Sequence, residues 1–300
     1  MKISEISYLV GLAIAGVTVS QVANATEGGG SIYPMGAESF LTGALPPPGF
    51  YPLVYATRYS ADKIKNNDGD DVAPPNFKVT ANVIAPRLIW VTGNTLLGGQ
   101  VAHALMLPLV DLDVKAGAAS QSKTGIGDLN ITPLVLGYHH NANLHSVVAL
   151  DIFAPTGRFN QTDMANIGRN YWAIQPVYTA SYIDPAGWNA DFKMMYDFNF
   201  KNADTNYKSG HEFHVDYALG YGFKQNWVAG VGGYLYKQTT ADELNGTKVP
   251  DNKGQAFAIG PSIKYDNGKG MFVMAKWQKE MNVENRPQGN AFWIKALLPF

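Results

Sequence analysis

Residues 188–200 (WNADFKMMYDFNF) alternate without a break: Trp188, Ala190, Phe192, Met194, Tyr196, Phe198 and Phe200 share one parity, and Asn189, Asp191, Lys193, Met195, Asp197 and Asn199 the other. A period of two is the signature of an extended strand. At ~3.3 Å per residue the run crosses the hydrocarbon layer at the tilt of an outer-membrane strand and exceeds the usual strand of a globular sheet. Residues 211–223 (HEFHVDYALGYGF) repeat the device, with Phe213, Val215, Tyr217, Leu219, Tyr221 and Phe223 outward and His214, Asp216, Ala218, Gly220 and Gly222 inward, where the glycines are predicted to leave space. The chain ends the same way (289–300, GNAFWIKALLPF): Phe292, Ile294, Ala296, Leu298 and Phe300 against Trp293, Lys295, Leu297 and Pro299. A soluble sheet tends to end in a polar tail, whereas a strand that seals a membrane barrel stays apolar up to an aromatic rim. The pattern predicts an all-β chain folded as a transmembrane antiparallel barrel of the bacterial outer membrane.

Strands are predicted at 50–61, 77–91, 97–113, 127–140, 144–155, 171–183, 188–200, 210–223, 227–239, 254–265, 271–280 and 290–300. The breaks between them alternate. Those at 62–76, 114–126, 156–170, 201–209, 240–253 and 281–289 are long, and those at 92–95, 141–143, 184–187, 224–226 and 266–270 are short. Short periplasmic turns, long external loops and an even strand number give about twelve strands with both ends in the periplasm. Some stretches fit less cleanly. Arg87 shares the parity of Val83, which suggests a bulge near Pro86, where the ladder lacks a donor. His103 falls with Leu105 and Leu107, and 127–138 is apolar on both parities, as a soluble sandwich core would be. A sandwich explains neither the aromatic end nor the loop rhythm.

The first 25 residues read as a cleaved signal peptide: basic Met1-Lys2, a short apolar run at 8–19, and Ala23-Asn24-Ala25 as a small-x-small site before Thr26. The apolar run is short of the ~20 residues of a spanning helix, and nothing in the mature chain reaches that length, so a membrane protein here must be a closed barrel. Residues 26–49, with Gly and Pro triplets, form an irregular leader, either periplasmic or tucked into the barrel as a plug, and 50–300 form the barrel. The 31 Gly, 16 Tyr, 14 Phe and 6 Trp suit strands, tight turns and interfacial aromatic girdles. A formal net charge of −1 gives no case for nucleic acid. With no cysteine, disulfides and thiolate metal sites are excluded.

Gly125-Ile126-Gly127-Asp128-Leu129, Pro133, Leu136-Gly137-Tyr138-His139, Ala154-Pro155-Thr156-Gly157-Arg158-Phe159, Gly168-Arg169-Asn170-Tyr171-Trp172, Tyr207-Lys208-Ser209-Gly210 and Glu284-Asn285-Arg286-Pro287-Gln288-Gly289-Asn290 resemble the outer-membrane family named for the meta-cleavage pathway of phenol degradation. The resemblance runs from Gly28 to Phe300. It implies a transporter-like barrel that passes aromatic or other hydrophobic compounds, and it carries over no catalytic set.

An enzyme is not expected. His145 and Ser146 are adjacent and therefore on opposite faces, His211 and His214 likewise, and no nucleophile elbow, zinc helix or phosphate loop is present. A membrane-embedded hydrolase and a structural or adhesive barrel are the alternatives. Asp68-Gly69-Asp70-Asp71 lacks the further ligands of a calcium loop and reads as a solvated tip beside lipopolysaccharide. No metal or cofactor is called for. Asp191, Lys193, Asp197, His214, Asp216, Lys264, Lys276, Gln278 and Lys295 are predicted to face the lumen, implying a wetted or internally paired interior. Tyr234, Tyr236 and Trp293 are candidate aromatic contacts for a solute, and Arg158, Arg169 and Arg286 are placed at loop mouths to attract anions. The expected partners are outer-membrane lipid and lipopolysaccharide, the barrel-assembly machinery and a small organic solute. The function this predicts is passive uptake.

Overall fold

The computed structural model describes residues 26–297. The segment 1–25, expected to be a signal peptide, and residues 298–300 with the terminal Phe300 lie outside them. Twelve strands close into one antiparallel barrel: β1 (Gly49–Lys65), β2 (Lys78–Leu96), β3 (Gly99–Met106 continued by Leu109–Ala116), β4 (Ala119–Ile126 continued by Leu129–His139), β5 (Leu144–Ala154), β6 (Ala173–Ile183), β7 (Trp188–Asn199), β8 (Glu212–Lys224), β9 (Trp227–Gln238), β10 (Gln255–Asp266), β11 (Phe272–Glu284) and β12 (Arg286–Leu297). Each strand pairs with its sequence neighbours, and β1 closes the ring by pairing with both β2 and β12. Closure leaves no free edge within the apolar band, which is the condition for strands to stand in lipid. The outward parity is apolar as the alternation requires, with Leu88, Leu105, Leu219, Leu235, Phe292 and Ile294 exposed. Aromatics ring both ends of this band. Phe50 stacks on Trp90, and Trp188–Tyr221 and Trp227–Tyr265 pair at the short-turn end, while Tyr196, Phe198 and His211 cluster at the other.

Three expectations are corrected. The predicted long loops at 114–126 and 281–289 are strand. The first is a hairpin extension that turns at Gly117, and the second shrinks to a single residue, Asn285, with φ +54. No bulge forms near Pro86. The β1–β2 register runs unbroken from Gly49↔Val91 to Ala61↔Val79, and Arg87 points inward on the parity of Ala85. Proline instead marks the break of β3 at 107–108, where Leu107 N donates to Pro86 O, and the register shift lies between Val91 and Thr95. Above that break, outward positions are polar (Asp111, Asp113, Lys115, Ser122, Thr124) and inward ones apolar (Val110, Leu112, Val114), which is the inverse of the membrane band.

The leader, residues 26–49, lies inside the barrel. It threads the lumen from the long-loop end, where Thr26 N meets Asp242, past Asp216 and Lys295 midway, to Asp191 and Ser181 near the short turns, where the chain enters β1. The space left by inward glycines is filled by it: a Cβ at Gly220 would lie 2.7 Å from Phe40, and one at Gly137 2.7 Å from Leu45. Phe40 is fully buried against Ala218, Val228 and Met274. Phe40→Ala is therefore expected to cost about 3–5 kcal/mol of unfolding free energy, measurable by denaturant unfolding in detergent.

Candidate solute passage

Most of the charged lumen residues are engaged by the leader. Asp216 accepts from Tyr33 OH (2.6 Å), Gly36 N (3.0 Å) and Glu38 N (2.9 Å). Glu38 accepts from Lys295 Nζ (2.6 Å) and Tyr55 OH (2.8 Å) and pairs with Arg87 at 3.5 Å, while Lys276 donates to its carbonyl. Asp191 accepts from Thr42 N (3.1 Å) and Ser181, and Lys193 stands 4.9 Å from the centre of the Tyr33 ring. Gln278 Nε2 donates to Met35 O, and Lys264 Nζ to Asn189. Buried charges survive when paired and hydrogen-bonded, and here the leader supplies many of the partners. Tyr234 and Tyr236 donate to Glu280 and Glu212. Arg286 is not at a loop mouth. It opens β12, buried, 4.7 Å over the Tyr236 ring with Nη1 on Met35 Sδ. Arg158 is exposed, and Arg169 packs its guanidinium against Gly30 of the leader.

The open space lies elsewhere in the lumen. A cavity of about 1330 Å³ occupies the long-loop half of the barrel. One wall is apolar: Val79, Ala81, Val83 and Ala85 of β2 with Val110 and Leu112 of β3. The inward-folded loop 155–172 contributes Phe159, Ile167 and Arg169, and the leader contributes Ile32 and Met35. Lys193, Tyr234, Arg286 and Trp293 reach its margin. The loop is held inside by β4, where Gln121 bonds Asp163 and Ala165, and Lys123 pairs with Asp163. Because β5 ends at Ala154, the upper half of β4 (Ala119–Ile126) pairs only with β3 among the described residues, and no described strand lies along its other edge. The barrel wall is low at that point.

The family described as "Putative MetA-pathway of phenol degradation" matches residues 61–296. The chain belongs to that family. Among curated proteins none matches. The chain is similar to the COG4313 outer membrane channel from Pseudomonas putida F1, with 21% identity and a TM-score of 0.76 over 86% of this chain and 97% of that one. The NanC porin is more distant, at 9% identity and a TM-score of 0.44 over 83% and 100%. The first of these likenesses shows the fold: the chain shares the antiparallel β-barrel architecture of that channel.

Three of the segments that carry the family resemblance, 125–129, 154–159 and 168–172, meet at one joint, the foot of the inward loop. Asp128 accepts from Gly157 N (2.9 Å) and Arg169 N (2.6 Å). Gly157 and Gly168 touch backbone to backbone, since a Cβ on Gly168 would fall 2.6 Å from the Gly157 carbonyl carbon. Other polar groups also assemble. Asp197, Glu212 and His214 bring possible metal-ligand atoms within 4.8 Å of one another, and His214 Nε2 lies 2.8 Å from Asp197, with Ser31 Oγ bridging toward Glu212. This trio could hold a cation, and it anchors the leader. His145 does not pair with Ser146, but His140 Nε2 does, at 2.7 Å. A nucleophile–base pair needs a third group to orient the base, and among the described residues no carboxylate hydrogen-bonds His140. The tip at 68–71 is exposed and closed on Asn66, whose Oδ1 accepts from Asp68 N and Asp70 N.

Proposed function

We propose that the protein is a passive outer-membrane channel for small, predominantly apolar organic compounds, with aromatic compounds first. The observation that carries this reading is the apolar cavity between β2, β3 and the inward loop, because a cavity with an apolar wall and few polar groups at its margin selects apolar solutes. The family's description and the name of the similar channel support it. The leader stands across the straight route to the periplasm. The low wall beside the free edge of β4 offers an apolar solute a lateral way between the cavity and the outer rim, above the hydrocarbon band. Arg169 at the cavity mouth would favour solutes with an anionic or electron-rich end. Lipid contacts the apolar band. The polar outward patch of Arg58, Asn82, Asp111 and Thr124 stands where lipopolysaccharide would surround the rim, and insertion would use the barrel-assembly machinery.

Proteoliposomes containing the purified barrel are expected to accumulate radiolabelled monoaromatic compounds faster than empty vesicles and to show no comparable gain for a sugar of similar mass. Equal rates for both solutes, or no gain for either, would remove the channel reading.

A further inference from the structure

At the long-loop end, Asp242 is fully buried and its carboxylate collects five donors. Oδ1 accepts from Gly210 N (2.6 Å) and Gln238 Nε2 (2.7 Å), and Oδ2 from Tyr207 OH (2.5 Å), Asn252 Nδ2 (2.7 Å) and Thr26 N (3.1 Å). Among the described residues no Lys, Arg or His forms an ion pair with it. Burial pushes this carboxyl above its ordinary value despite the hydrogen bonds that favour the ionised form. A buried carboxylate surrounded by donors and lacking a cation is an incomplete arrangement.

The chain can supply the cation itself. Ala23-Asn24-Ala25 reads as a cleavage site before Thr26. Hydrolysis there, by a signal-cleaving endopeptidase with water as co-reactant, breaks the Ala25–Thr26 amide and leaves a carboxylate on Ala25 and an ammonium group on Thr26. That nitrogen already sits on Asp242. Thr26 also has φ +60, a region disfavoured for β-branched residues partly by the preceding carbonyl oxygen, and a chain beginning at Thr26 has no preceding carbonyl. We infer that the ring of Asp242, Tyr207, Gly210, Gln238 and Asn252 is a receptor for the free α-ammonium group of Thr26, and that the ion pair created by cleavage latches the leader inside the barrel. Glu27 and Ser31 then continue the anchoring, with Glu27 N on Ser209 and Ser31 on Glu212. This site is independent of which solute the barrel passes.

The chain has no cysteine, so Ala37→Cys places a single thiol in the buried leader as a reporter of its release. Mass spectrometry of the purified protein is expected to give a chain beginning at an unmodified Thr26. Two changes displace the ammonium group by different routes: Asp242→Asn, and a glycine inserted between Ala25 and Thr26, so that the mature chain is one residue longer. Each is expected to raise the rate of maleimide labelling at position 37 on the order of a hundredfold, in barrels whose heat-modifiable gel migration shows them folded. The two together are expected to exceed neither alone, because both break one interaction. Wild-type labelling rates in the glycine-extended chain would overturn the inference even if Asp242→Asn labels fast, since Asp242 would then act only as a hydrogen-bond acceptor. A mature chain starting elsewhere would overturn it as well.

Discussion

Glu38→Ala is expected to lower the unfolding free energy of the detergent-solubilised barrel by about 3–5 kcal/mol, read as a shift of the urea midpoint against the unsubstituted protein. The carboxylate sits midway along the leader, buried, between Lys295 at 2.6 Å and Arg87 at 3.5 Å, with Tyr55 donating at 2.8 Å. Truncating it leaves two cations in a closed interior without their counter-charge, and that residual charge, more than the lost bonds, sets the size of the effect. Two further variants separate the causes. Glu38→Gln keeps the length and an acceptor for Tyr55, and should retain part of the loss, the part due to charge. Replacing Glu38, Arg87 and Lys295 together by Met removes all the charge at once and should return stability toward the starting value, as buried ion networks exchanged for apolar packing commonly do. A change within about 1 kcal/mol for Glu38→Ala, the range of an exposed pair, would mean that water reaches this hub and that the leader does not seal the middle of the lumen.

The barrel was legible in the sequence wherever one parity faces lipid and the other a polar interior. In β7 and β8 every position from Trp188 to Asn199 and from Glu212 to Phe223 falls on the face its alternation assigns. Reading failed where that contrast weakens or inverts. In β2 from Val83 onward, Val83 and Ala85 face the cavity while Ile84, Leu88 and Trp90 face lipid, so both parities are largely apolar there and period-two logic has little to register. In β3 the alternation of Val110, Leu112 and Val114 with Asp111, Asp113 and Lys115 is clean, but it inverts because the strand has risen above the hydrocarbon, with water outside and the cavity inside. A segment polar on its outer face is therefore indistinguishable, along the sequence, from a loop. The charged lumen positions were visible as such, since an Asp or Lys on the inward parity of an otherwise apolar strand has nowhere else to go. Their partners were not. Asp216 and Lys295 read as groups lining a wet channel because their contacts come from a leader about 180 and 260 residues away, and no local pattern encodes contacts at that separation. The apolar cavity wall had one signal available, the apolar parity of Val79, Ala81, Val83 and Ala85, which also fits a soluble sheet.

Ala81→Trp is expected to abolish most solute uptake, by at least about tenfold in proteoliposomes, while leaving the unfolding free energy within about 1 kcal/mol, the range of substitutions that neither open a cavity nor strain the core. Ala81 sits in the middle of the apolar wall on β2, opposite Tyr59 of β1 and Leu112 of β3, with its side chain toward the open space. The 1330 Å³ beyond it can take an indole without displacing the backbone, and burying that ring against Val83 and Leu112 offsets the lost rotamer freedom. The same bulk that packs well removes the space a monoaromatic solute needs, so uptake should fall while stability holds. Ile84→Trp supplies the control. Ile84 is on the same strand three residues on, but exposed on the lipid face, where an added indole suits the membrane boundary and should leave uptake unchanged. If both substitutions reduce uptake alike, the effect comes from the strand and not the cavity; if Ala81→Trp leaves uptake intact, the solute travels through some other part of the barrel, and the apolar wall of β2 and β3 has a different purpose.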